Sequence, residues 1–464
     1  MFESRNPYTE EVVATFPAHS DAEVDERLTA ARRAFASFRR TSLQDRVRLL
    51  GNLAAVLRQE RERWARLLVE EMGKTLVAAR AEVDKCAWVC EHYAVAGPRM
   101  LQPEPAQVER GQAEVIFQPL GPVLAIMPWN FPFWQVFRFL APALLAGNVV
   151  LLKHASNVPR CALALEEIAR RAALPAGVFA ALLIESSRVA SVLADDRIVA
   201  ATLTGSTAAG AAVAAEAGRH VKKTVLELGG SDPFLVLPSA DLEAAARTAV
   251  QARVVNNGQS CIAAKRFFVH RAVADAFLER FVAGMEALHL GDPMDEATDV
   301  GPLATRSIRD EVARQVEASL AQGARQLTRG RTLPPRGFFY PPSVLVDAPP
   351  QAPVACEEVF GPVASVWVLP DLDAMIAAAN ASPYGLGASV WTRDANEARR
   401  CIEELDSGMV FVNAMVASDP RLPFGGVKRS GYGRELGLYG LREFVNIKTV
   451  WRHALASEGG HATE

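Results

Sequence analysis

Cysteine is scarce in this chain, with Cys86, Cys90, Cys161, Cys261, Cys356 and Cys401 and no CxxC among them. That excludes a disulfide framework and a cysteine-based zinc site, and it points to reduced thiols. The eight histidines are isolated as well. None is placed as an obvious base, and no metal site is expected. Charge of one sign is lacking too, since 50 Lys and Arg stand against 53 Asp and Glu for a net charge of -3. Nothing in that balance calls for nucleic acid or an anionic membrane as a partner. The opening residues Met1-Phe2-Glu3-Ser4-Arg5 carry neither the basic nor the apolar region of a signal peptide, so a cytoplasmic protein is expected. Repeats and low-complexity tracts are absent. One long apolar run, 121–152, has the length to span a bilayer, but Pro122, Pro128, Pro132 and Pro142 interrupt it. Asn130, Gln135 and Arg138 sit near its middle. A lipid-facing helix would have to satisfy all of those groups, so the run reads as buried strand, irregular turn and buried helix.

What is present is ordinary for a globular protein: half of the 464 residues are hydrophobic and 22% are charged. The length suits about three domains. Residues 1–20 read as short strands and turns, and helices dominate from Asp21 to about Ala96. Gln107 to Gln118 alternates like an exposed hairpin, which needs a covering partner. From Gly121 strands and helices alternate. Val123–Ile126 and Val149–Leu152 are apolar on both faces, as in buried parallel strands. The pattern predicts a doubly wound α/β unit of Rossmann type, followed by a second α/β series from Phe234 to about Val412. The last strand-like run, Phe444 to Trp451, is expected to pair with the hairpin.

Four places carry candidate chemistry. Cys261 ends Asn256-Asn257-Gly258-Gln259-Ser260-Cys261, between a helix with Leu242, Ala245, Ala246 and Ala249 on one face and the strand Arg266–His270. Gly258 permits backbone geometry that other residues resist, so the thiol is either presented to a ligand or packed as a small hydrophobe. Glu227 ends an apolar strand before Gly229-Gly230. Apolar neighbours raise a carboxylate's pKa and suit it to general base work, with a domain-junction ion pair as the bland alternative. Asn130, stiffened between Pro128 and Pro132, either donates its amide to an oxyanion or only shapes the turn. The loop Gly205-Ser206-Thr207-Ala208-Ala209-Gly210, which is not a GxGxxG, follows a strand and opens a helix; it either seats a pyrophosphate on helix amides or is a plain strand-to-helix turn. The earlier strand Val149–Leu152 runs into Lys153-His154-Ala155-Ser156, without the carboxylate that would repel a 2′-phosphate, so NADP is tolerated alongside NAD.

Together these stretches resemble the aldehyde dehydrogenase superfamily, and the resemblance spans essentially the whole chain. The shared motifs run in order: Pro128-Trp129-Asn130-Phe131-Pro132, Gly205-Ser206-Thr207, Glu227-Leu228-Gly229-Gly230, Gly258-Gln259-Ser260-Cys261, Glu358-Val359-Phe360-Gly361-Pro362 and Pro423-Phe424-Gly425-Gly426. The resemblance implies Cys261 as nucleophile, Asn130 as oxyanion donor and Glu227 as the base that activates water. It implies Trp129, Lys153, Ser156, Gly205, Ser206, Glu358 and Phe360 toward a dinucleotide. It also implies a cofactor domain of 1–102 and 122–229, a catalytic domain of 230–430, and an oligomerisation arm of 103–121 and 431–464 in a homodimer or homotetramer.

The likeness is greatest to bacterial succinate-semialdehyde dehydrogenases, which places Arg138 on the substrate carboxylate, with Ser418 as a hydroxyl donor and Phe424 nearby. Phe360 and Phe424 serve equally well as core. Two positions depart from some relatives: Val255 stands where they have a second arginine, with Arg253 close by, and Ala263 stands where they have a second cysteine. Rival expectations are an enzyme for uncharged aldehydes, a cofactor-free thiol hydrolase, and a protein that kept the fold without the activity.

Overall fold

The computed structural model describes residues 1–453; the remainder of the proposed 431–464 arm lies outside the described residues. A small antiparallel pair opens the chain, β1 (Phe2–Arg5) and β2 (Val12–Phe16). Four helices follow: α1 (Asp21–Phe38), α2 (Leu43–Gln59), α3 (Arg61–Met72) and α4 (Leu76–Met100). Ser20, Ser42 and Thr75 start α1, α2 and α4 by accepting an amide from the first turn, while Gly73 stops α3 at a positive φ. Then come β3 (Glu104–Ala106) and β4 (Gln112–Pro119).

The apolar run resolves into β5 (Pro122–Met127), α5 (Trp134–Ala146) and β6 (Val149–His154). Every residue of α5 is buried, which explains the lack of a polar face. The unit continues through α6 (Pro159–Arg171), β7 (Phe179–Ala181), α7 (Val189–Ala194), β8 (Ala200–Thr204), α8 (Thr207–Arg219) and β9 (Lys223–Glu227). Its strands lie in the order β9-β8-β5-β6-β7, all parallel. The chain therefore reverses direction across the sheet between β5 and β8. In open α/β sheets the crevice beyond the strand ends at that switch receives the ligand. The segments leaving β5 and β8 there are Pro128–Phe133 and Gly205–Ser206.

The second sheet uses β10 (Asp232–Val236), then α9 (Leu242–Val254), β11 (Ala264–His270), β12 (Arg325–Gln326), β13 (Ser343–Val346) and β14 (Val363–Leu369). After the short β15 (Tyr384–Gly385) it adds β16 (Gly387–Trp391) and β17 (Met409–Val412). The order is β12-β13-β14-β11-β10-β16-β17, parallel except for β12. Near the C-terminus β18 (Val427–Lys428) pairs with β15, and β19 (Gly431–Tyr432) adds an antiparallel edge to β9 of the first sheet. Residues 431–432 thus join the first sheet rather than the arm. Finally β20 (Val445–Arg452) pairs along its whole length with β4, giving the three-stranded order β20-β4-β3. Among the described residues no helix is long and apolar enough to cross a membrane.

Candidate active site

Cys261 follows α9 through a tight segment in which Asn256, Asn257 and Gly258 all have positive φ (55°, 59° and 79°). Asparagine tolerates this region better than most residues, and local hydrogen bonds hold it there. Asn256 Nδ2 donates to Asn130 O (2.7 Å) and Gln259 O (3.0 Å). Asn257 Nδ2 donates to Gly73 O and Pro302 O, and its Oδ1 accepts from Gly301 N. Gly258 is required for a second reason: a Cβ there would sit 2.4 Å from the carbonyl carbon of Gly361. The Cys261 loop is therefore pressed against the loop that carries Glu358 and Phe360.

One cavity of about 220 Å³ gathers Cys261, Asn130, Trp129, Gly205, Ser206, Glu358 and Phe360, with Leu228 and Gly229, so that five of the six motifs line it and only Pro423–Gly426 does not. Trp129 and Phe360 meet edge to face with centroids 5.5 Å apart. Ser206 caps α8, so the helix amides open toward this cavity. Glu358 accepts Gly230 N (3.0 Å) and lies 3.4 Å from the Lys265 ammonium. A Cβ on Gly229 would come within 2.6 Å of Glu358 Oε2.

Lys265 carried no signal in the sequence. Buried in the strand after Cys261, it donates to Ser260 O and Cys261 O (2.8 Å each) and Ala263 O (3.2 Å). Burial pushes the Cys261 thiol up to about 12, and the cations Arg138 and Lys265 pull it back.

Asn130 sits in the turn that leads into α5. Its Nδ2 donates to Gln259 O (3.1 Å), and its carbonyl accepts from Lys74 Nζ (3.0 Å) as well as from Asn256. Lys74 is itself ion-paired with Glu82, and both are buried. Glu82 also accepts the Phe133 and Trp134 amides (2.9 and 3.0 Å), so it caps a helix that has no cap of its own.

Glu227 does not line the cavity; Leu228 does. Its carboxylate is buried and without a hydrogen-bond partner, and burial raises it well above the usual range. Arg138 opposes that rise and Glu435 adds to it.

Arg138, expected on a substrate carboxylate, lies among partners of its own. Arg138 is 1% exposed, paired with the buried Glu435, bonded to Thr204 Oγ1 (3.3 Å) and stacked 4.5 Å over the Phe424 ring. A guanidinium with its own carboxylate has little charge left to offer a substrate. Phe424 is the buried floor of that stack. Ser418 Oγ accepts from Lys85 Nζ (2.8 Å). Arg253 points inward to Gly258 O (2.7 Å). Lys153 and Ser156 lie apart from the thiol. Lys153 Nζ is 3.4 Å from Ser186 Oγ, and Ser156 lines a larger cavity of about 620 Å³ with Ser186 and Arg306. Glu435, Lys74, Glu82 and Lys85 are single residues in helix or loop sequence, with no motif to mark them.

A thiol beside an amide donor, at the switch point of a dinucleotide-type sheet, defines a cofactor-dependent thiol enzyme. The chain belongs to the aldehyde dehydrogenase family, whose profile matches residues 1–450. It is 54% identical over 449 residues to "Succinate-semialdehyde dehydrogenase [NADP(+)] 1" of Mycobacterium tuberculosis, covering 96% of this chain and 98% of that one. A probable succinate-semialdehyde dehydrogenase [NADP(+)] of Synechocystis sp. is 52% identical over 446 residues, with the same coverage. The crystal structure of succinic semialdehyde dehydrogenase from Streptococcus pyogenes in complex with NADP+ superposes with a TM-score of 0.95 at 35% identity, covering 98% of this chain and 100% of that one.

Proposed function

We propose that this aldehyde dehydrogenase oxidises succinate semialdehyde to succinate with NADP+, acting in the cytoplasm as a homo-oligomer. The observation that carries the reaction is the single cavity shared by Cys261, Asn130, Ser206 and Glu358. The relatives' substrate and cofactor support the particular aldehyde. The residues present fit the cofactor. The amides of α8 open toward the cavity at Ser206, and Gly229 leaves room beside Glu358 where a Cβ would clash. Lys153 stands on a strand end and among the described residues forms no ion pair with a carboxylate, as a 2′-phosphate requires. Gly205 and Ser206 would hold the pyrophosphate, Lys153 and Ser156 the adenosine ribose, and Glu358 the nicotinamide ribose, with Trp129 and Phe360 enclosing the ring.

The Cys261 thiolate, its proton passed to solvent, bonds the aldehyde carbon, and the carbonyl oxygen becomes an oxyanion held by the Asn130 amide and the Cys261 N–H. The nicotinamide, when bound, supplies the hydride acceptor. Cys261 then carries the acyl group as a thioester. Water then bonds the thioester carbon and gives a proton to the Glu227 carboxylate, whose proton affinity burial raises, and the Cys261 thiolate leaves as the acid is released.

Initial rates with about ten aldehydes and each nicotinamide cofactor test this, a panel fine enough to resolve about 1 kcal/mol in transition-state binding. The expected result is the highest kcat/KM with succinate semialdehyde and NADP+. Ester hydrolysis with no cofactor reduction by any aldehyde would refute it.

A further inference from the structure

With Arg138 committed to Glu435, the cation left over near the substrate residues is Lys85 on α4. Its ammonium donates to Ser418 Oγ at 2.8 Å and lies 4.6 Å from the centroid of Trp134, one turn before Arg138 on α5. Lys85 forms no ion pair among the described residues, and Asp419, the acid beside Ser418, is already held by Arg421 (2.8 and 2.6 Å). An unpaired ammonium packed between an indole and a hydroxyl is costly to keep unless a ligand supplies the missing charge. The hydrogen bond also has a direction. Because Lys85 donates to the Ser418 oxygen, the Ser418 proton is free to point elsewhere as a second donor.

We propose that Lys85, with Ser418, reads the distal carboxylate of a short aldehyde acid and so sets substrate specificity, while Arg138 serves the Glu435–Glu227 cluster. This rests on the reading of the substrate as a carboxylate-bearing aldehyde. The charged and titratable groups facing Lys85 are Arg138 from α5, Asp419 from the late loop, and Glu82 and Cys86 from its own helix. Of the acids, Glu82 is paired with Lys74 and Asp419 with Arg421, so the local field favours an incoming anion.

The test compares kcat/KM for succinate semialdehyde and for butanal, a four-carbon aldehyde without the carboxylate, at saturating NADP+. Wild type, Lys85→Met, Lys85→Gln and Lys85→Arg are measured side by side. Loss of one charge-assisted contact should lower the ratio of the two kcat/KM values about 10- to 100-fold in the Met and Gln variants, through KM for the acid. Lys85→Arg should restore most of that ratio, which a purely structural role would not predict. A ratio within about threefold of wild type in both neutral variants would overturn the assignment of Lys85 and leave the proposed function standing. A wild-type enzyme that does not favour succinate semialdehyde over butanal would overturn both.

Discussion

Lys265 illustrates how one side chain can govern another's chemistry without touching substrate. Its three bonds to the carbonyls of 260, 261 and 263 fix the peptide planes of the Cys261 loop, and its charge lowers the cost of the Cys261 thiolate. Replacing it with methionine removes a cation that pulls the thiol down, so the thiol pKa must rise. We expect the pH profile for alkylation of Cys261 by iodoacetamide to move to higher pH in Lys265→Met. At any pH below the pKa, alkylation should slow in proportion to the smaller thiolate fraction. An unmoved profile would leave Lys265 with a packing role only. Lys85 gives a second pH signature. Burial, then Arg138, lowers its pKa to about 8. Above that pH the free enzyme loses the charge that attracts a carboxylate. The ratio of kcat/KM for succinate semialdehyde over butanal should therefore fall as pH rises through about 8, while the thiol's own titration cancels in the ratio. At this scale the sequence exposed Cys261, Asn130 and Glu227 because each sits in a stretch whose neighbours are unusual. It concealed the state of Arg138, since nothing near Arg138 in the chain announces that Glu435 will neutralise it.

Helix α5 owes its start to another helix. Phe133, the residue just before it, caps nothing, and Glu82 on α4 accepts the Phe133 and Trp134 amides while Lys74 donates to the carbonyl of Asn130. Breaking a buried ion pair by removing one partner costs about 3–5 kcal/mol. Glu82→Gln should lower the thermal unfolding temperature and also reduce kcat, because the turn that aims the Asn130 amide loses its anchor. A variant with lowered stability but full kcat would show that the turn holds itself. Serine and threonine caps on α1, α2 and α4 were readable because they act within one turn of their own helix. The cap of α5 was not, because it arrives from a residue 51 positions earlier. The segment 256–258 was half legible: Gly258 marks a bend, whereas asparagine is at home in so many turns that two consecutive left-handed ones could not be foreseen.

At the scale of the whole molecule, two of the outer strands among the described residues stand out. In the three-stranded sheet β20 is the outer strand, with Ile447 61% and Trp451 52% exposed. In the second sheet β17 is the outer strand and is only half-buried. Open edges of this length invite another chain. We expect light scattering to show a dimer or tetramer, and Ile447→Asp to weaken it; a monomer at micromolar concentration would refute the assembly. The alternation of strands and helices made both large sheets legible, since parallel strands buried on both faces leave continuous apolar runs. The two-residue strands β18 and β19 were invisible, as pairs this short carry no periodicity.

Those two short strands have a mechanical consequence. β18 is stitched to the second sheet's neighbourhood through β15, and β19 to the first sheet through β9, with only Arg429 and Ser430 between them. Ser430 is tied on both sides, its hydroxyl donating to Gly229 O and accepting from Gly385 N. The segment is a rivet across the cleft, too short to give slack. We expect the two halves to resist swinging apart like jaws, so that traffic of dinucleotide and aldehyde runs on the bending of individual loops.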